Sequence, residues 1–149
     1  SVLVSRRNFG SGSSREAAVY ALVDFGIRVV IAPSFGDIFA SNSVNNGLLP
    51  ARVSEAEVDA AIAKLADGPQ EVSVDLTDRK IRLGNTTLDF TLDDVWQQKL
   101  INGWDDIDLT QNHKKAIAKY RVQHVLGAPW AIPVQQNDFR SAGRETVSP

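Results

Sequence analysis

The residues best suited to chemistry form one stretch, Asn8-Phe9-Gly10-Ser11-Gly12-Ser13-Ser14-Arg15-Glu16, directly ahead of an apolar run of helical period. Glycines let a backbone come close to a ligand, serine hydroxyls donate and accept, and the Arg15 guanidinium is a forked cation. A helix start adds free N–H groups and a positive dipole end, so the stretch describes a seat for a carboxylate or phosphate. A second reading is equally open on local pattern alone. Ser13-Ser14-Arg15-Glu16 fits a capping box, with Ser13 as N-cap and Glu16 reaching back to it. A Walker-type phosphate loop is excluded, because no Gly-Lys-Ser/Thr follows the glycines. The dinucleotide fingerprint fails as well, since Arg15 stands where Gly or Ala is required.

The elements that must position this stretch are legible on both sides of it. Residues 2–4 read as a short apolar strand leading in. Ala17, Ala18, Ala21, Leu22 and Phe25 recur at helical steps, which predicts a helix over 14–25, with Gly26 as its left-handed C-terminal cap. Residues 27–32 are β-branched and apolar, as a buried strand reads, so strand, helix and strand suggest a βαβ unit. Residues 33–47 predict a shorter helix ending in a polar Asn42–Asn46 run. Ser54 and Glu57 form another capping box, opening a helix that stops at Gly68. Residues 71–76 and 80–83 alternate around a turn at 77–79, predicting a hairpin, and 86–92 a further strand. Asp93 caps a helix to about Asn102. An acidic connector over 105–109 precedes a last helix opening at Thr110 and ending near Gly127. The domain is read as residues 1–130, and 131–149, polar and aperiodic, as a disordered C-terminal tail.

The chain has 149 residues, enough for one domain with a substantial core. A formal net charge of −2 gives no electrostatic case for nucleic acid or an anionic membrane surface. Cysteine is absent, so the chain offers no thiolate for zinc or an iron–sulfur cluster. His113 and His124 do not have a metal-ligand spacing, and no metal is expected in this chain.

Several segments in one register resemble the small subunit of isopropylmalate isomerase (3-isopropylmalate dehydratase), itself similar to the swivelling fourth domain of aconitase. They are Asn8–Glu16, Asp24-Phe25-Gly26, Ile31–Phe39, Asn42, Asn46–Pro50 and Gly103–Thr110. The resemblance implies an α/β fold, a three-layer β/β/α swivelling domain whose N-terminal strand and specificity loop lie before Ser1. It implies a large-subunit partner holding a [4Fe–4S] cluster, a hydroxy-dicarboxylate substrate lying between the two, and a cytoplasmic location. The implied reaction is dehydration and rehydration interconverting 2- and 3-isopropylmalate in leucine biosynthesis, with the isolated chain inactive. Carried over residue by residue, the family's Gly-Ser-Ser-Arg falls on Gly12, Ser13, Ser14 and Arg15. Ser13 is then the catalytic base, and Arg15 binds a substrate carboxylate with help from Ser14 and Gly12. The sequence departs from the family at Ala17, where His is usual, and at Ser11, often Cys or Thr.

Two rivals stand beside this reading: a related hydro-lyase subunit acting on dimethylmalate or citraconate, and a non-catalytic binding domain. Other tempting residues take plain readings. Asp105, Asp106 and Asp108 read as a solvated connector rather than a cation site. His113 reads as a surface or packing residue, and Trp96, Trp104 and Trp130 as core or interface anchors.

Overall fold

The computed structural model describes residues 1–131. The chain runs β1 (Val2–Val4), α1 (Ala17–Asp24), β2 (Val29–Ala32), α2 (Asp37–Asn45), β3 (Leu49–Arg52), α3 (Glu55–Ala66), β4 (Val72–Asp75), β5 (Lys80–Leu83), β6 (Thr86–Asp89), α4 (Asp94–Asn102) and α5 (Asp106–Gln111). Residues Ser1–Thr110 form one unit and those from Gln111 a second. In the second, α6 (Lys114–Gly127) is followed by a 3₁₀ turn over Pro129–Ala131. The last helix therefore opens at His113 rather than Thr110. The tail reading for 132–149 lies outside the described residues.

β1, β2 and β3 form a parallel sheet in that order, with Leu3 opposite Val30 and Val30 opposite Pro50. All residues of the central β2 are buried, which explains its unbroken apolar run. Its alternating side chains feed two separate cores. Val29 and Ile31 join Leu49, Ala51, Val58 of α3 and Ile81, Leu83 and Leu88 of the second sheet. Val30 and Ala32 face the other way, onto Val19 of α1 and Phe39 and Ala40 of α2. The second sheet is antiparallel, β4-β5-β6, and Ile81 and Leu83 of β5 supply its buried face. The layers are thus α1 and α2, the parallel sheet, and the antiparallel sheet, the β/β/α order that the resemblance implies. Trp96 of α4 packs against both cores, as an anchor should.

Two elements lie where the sequence reading placed none. β3 is a strand although Pro50 lies within it. Leu49 and Val53 donate their N–H groups to Arg28 O, just before β2, and to Ala32 O, so the alternate position 50 turns its nitrogen away from β2. Proline is tolerated there because no ladder bond is lost. The acidic connector is also helical, forming α5. Asp105 Oδ1 accepts from the N–H groups of Ile107 and Asp108, both at 2.8 Å, which starts the turn.

Candidate functional site

Parallel α/β sheets present ligands at the carboxyl ends of their strands, and the Gly/Ser loop leaves the carboxyl end of β1. Two ion pairs fasten its approach to α3: Arg6 to Asp59 at 2.8 Å, and Arg7 to Glu55 through Nε and Nη2 at 2.9 and 2.7 Å. The Arg7 hydrogen bonds hold the Glu55 carboxyl below the usual range.

Beyond Arg7 the chain is zipped to the loop after β2. Asn8, at φ 61°, donates its N–H to Ser34 Oγ at 2.8 Å, and the Ser34 hydroxyl donates to Asn8 Oδ1 at 3.2 Å. The Phe9 N–H donates to Ser34 O (3.1 Å), and the Gly36 N–H to Phe9 O (2.9 Å). Below this seam, the Phe9 ring meets Phe39 edge-on at 5.3 Å between centroids and Phe35 at 6.4 Å. Gly10 (φ 76°) crosses directly over Phe39.

The next residues carry the candidate chemistry. Ser13 is half-buried, while Gly12, Ser14 and Arg15 are exposed. The backbone N–H of Arg15 donates to Ser13 Oγ at 3.2 Å. Among the described residues, the Arg15 guanidinium has no side-chain or carbonyl partner. Three of the four are therefore open to solvent, with Ser13 half-covered among them. The cleft of about 320 Å³ lined by Phe35, Pro50, Arg52, Asp93 and Trp96 contains none of them.

The capping-box reading of this segment is not what the structure shows. α1 begins at Ala17, its N-cap is Glu16, and no side chain caps it. Ser13 lies outside the helix, so Ala17 does not share a helical face with it. Glu16 is engaged elsewhere: its carboxylate accepts from Asn46 Nδ2 at 2.8 Å. The nearby Glu16 carboxylate also raises the Tyr20 pKa. Sequence reasoning does not decide Asn46, since a polar run at a helix end looks the same whether or not it touches a loop. Lys99 escapes such reasoning altogether, because a single lysine in a helix gives no local sign of burial. It is 4% exposed, and its ammonium binds Asn45 Oδ1 and Asp106, the latter at 2.6 Å. That contact holds the Asp106 carboxyl below the ordinary range.

Residues 1–56 match the family described as the aconitase C-terminal domain. The 3-isopropylmalate dehydratase small subunit of Shouchella clausii is 48% identical over 120 residues, 80% of this chain and 61% of that protein. The crystal structure of 3-isopropylmalate dehydratase from Methanocaldococcus jannaschii matches with a TM-score of 0.60 and 31% identity, covering 80% of this chain and 68% of that one. The chain belongs to the 3-isopropylmalate dehydratase small-subunit family. It spans 61% of the length of the curated relative from Shouchella clausii.

As a member of the 3-isopropylmalate dehydratase small-subunit family, the chain raises the question of an iron–sulfur cluster. Its own residues do not fit one, because it has no cysteine. Among the described residues, no group of three or more His, Cys, Asp or Glu side chains converges as metal ligands would. No helix among them is long and apolar enough to cross a membrane.

Proposed function

We propose that this chain is the small subunit of isopropylmalate isomerase, a hydro-lyase interconverting 2- and 3-isopropylmalate in leucine biosynthesis, with residues 1–130 as its swivel domain. The observation that carries the reading is the Ser13–Arg15 pair: a hydroxyl that already accepts a backbone N–H, next to a guanidinium with no partner among the described residues.

Ser13 serves as the base that takes a C–H proton next to a substrate carboxylate. A serine hydroxyl is too weak a base to do this in water. Its oxyanion is stabilised by the Arg15 N–H and by exclusion of water once a second surface covers the loop. The Arg15 fork takes the substrate carboxylate in two parallel hydrogen bonds and fixes the face presented to Ser13. Ser14 adds a hydroxyl, and Gly12 lets the backbone come close.

The partner is a large subunit that holds the [4Fe–4S] cluster on its own cysteines, in the cytoplasm, and the chain alone does not turn over substrate. An exposed half-site fits that division: Gly12, Ser14 and Arg15 supply one wall only.

Coexpression with a cysteine-bearing large subunit, followed by a dehydration assay on isopropylmalate, dimethylmalate and citraconate, tests the assignment. Preference for isopropylmalate is expected. Preference for another dicarboxylate moves the chain to a related hydro-lyase, an outcome that Ala17 in place of the family's His makes worth testing. A complex inert on all three leaves a binding domain.

A further inference from the structure

We infer that Asn46 is a positioning residue for the Gly12–Arg15 loop, acting through Glu16; this rests on the reading of Ser13 and Arg15 above. The geometry is that of a splint. α2 grips the loop at both ends: at its N-cap the Gly36 N–H binds Phe9 O, and just past its C-terminus Asn46 Nδ2 binds the Glu16 carboxylate at 2.8 Å. Between those grips lie Gly10 to Arg15, which therefore span a rigid ruler of about 15 Å, the ten steps from Gly36 to Asn46 at about 1.5 Å each.

The Asn46 end of the ruler is itself fixed. Its side-chain amide also donates to the Asn42 carbonyl, one turn back, at 2.8 Å. The neighbouring Asn45 accepts from the buried Lys99, which binds Asp106 of α5. α4 and α5 thus anchor the helix end that holds Glu16, the residue directly after Arg15. Because Glu16 is exposed, one hydrogen bond to it adds little to the global stability, and its effect is confined to the start of α1. Its consequence is geometric: it sets where the chain leaves the loop, and so where Ser13 and Arg15 point.

Three substitutions test this: Asn46→Ala, Glu16→Ala and Glu16→Gln. Glu16→Ala leaves the Asn46–Asn42 contact in place, and Glu16→Gln keeps an acceptor for Asn46. On the full chain, hydrogen exchange is followed at the amides of Ala18, Val19 and Tyr20, whose acceptors are Arg15 O and Glu16 O. Both alanine variants should exchange about tenfold faster there, with β2 amides unchanged, and Glu16→Gln should match the parent. Unchanged exchange in both alanine variants overturns the inference.

In the assembled enzyme, isopropylmalate turnover is then measured with Ser13→Ala as reference. Each alanine variant should lose about tenfold or more in kcat/KM, the scale expected for misplaced catalytic groups, and the double variant no more than the worse single. Glu16→Gln should restore it. Parental kcat/KM in Asn46→Ala, where Ser13→Ala is inactive, overturns the inference while the serine reading stands. If Ser13→Ala turns over normally, the serine reading fails, and the exchange data still decide whether Asn46 positions the loop.

Discussion

A Cβ atom on Gly10 would stand 2.2 Å from Cγ of Phe39, with the backbone at φ 76°. The site loop is therefore seated on the aromatic cluster by a contact that only glycine permits. Gly10→Ala should cost more than about 2 kcal/mol, combining strained backbone with a clash against a packed ring. Gly26→Ala is the control: φ is 92° but nothing lies within 4 Å, so about 1 kcal/mol is expected. Urea denaturation of both variants checks this, and equal losses would refute the steric role of Phe39.

Gly12 behaves differently, having ordinary φ and no atom within 4 Å of where a Cβ would stand. Gly12→Ala should leave stability within about 0.5 kcal/mol. If substrate packs on this backbone, the same change should raise KM in the assembled enzyme. Unchanged KM would remove Gly12 from the binding surface.

Ser13 and Arg15 should separate kinetically in the assembled enzyme. Ser13→Ala should lower kcat on the order of a hundredfold or more with KM little changed, as for loss of an acid–base group. Since Ser13 accepts one N–H and does not cap α1, its stability cost should stay at about 1 kcal/mol. Arg15→Lys keeps the charge without the fork, so KM should rise first and kcat fall through misorientation. Near-normal kcat in Ser13→Ala would end the catalytic role.

Lys99 and Asp106 should respond unequally to substitution. Asp106→Ala leaves a buried ammonium with Asn45 as its remaining partner, costing about 1–3 kcal/mol. This is less than a fully buried pair because Asp106 is 72% exposed. Lys99→Met removes the charge while keeping the stem's volume and should cost less. The folded Asp106 carboxyl titrates below its ordinary value, so its contribution is full above that value and fades as pH falls through the lowered one. Denaturation midpoints between about pH 7 and about pH 3 should fall less steeply in Asp106→Asn than in the parent chain, the remainder coming from carboxylates such as Glu55. A larger loss for Lys99→Met than for Asp106→Ala would contradict the proposed asymmetry.

Local signals specified much of the fold from the sequence alone. The Ser54–Glu57 box closes as read, with both reciprocal bonds present, and Asp93 caps α4 through Val95 and Trp96. Gly26 takes its left-handed conformation after α1, and β4 pairs with β5 as a hairpin. Each depends on residues a few positions apart, whose chemistry no distant contact overrides. The site segment obeyed another rule. Ser13 and Glu16 carry the same pattern as Ser54 and Glu57, yet Glu16 is taken by Asn46, thirty residues along the chain. The identities and order of Gly12, Ser13, Ser14 and Arg15 were written in the sequence. Their placement outside the helix came from the tertiary structure, because Phe39, Ser34 and Asn46 compete for the loop only once the sheet has brought α2 beside it.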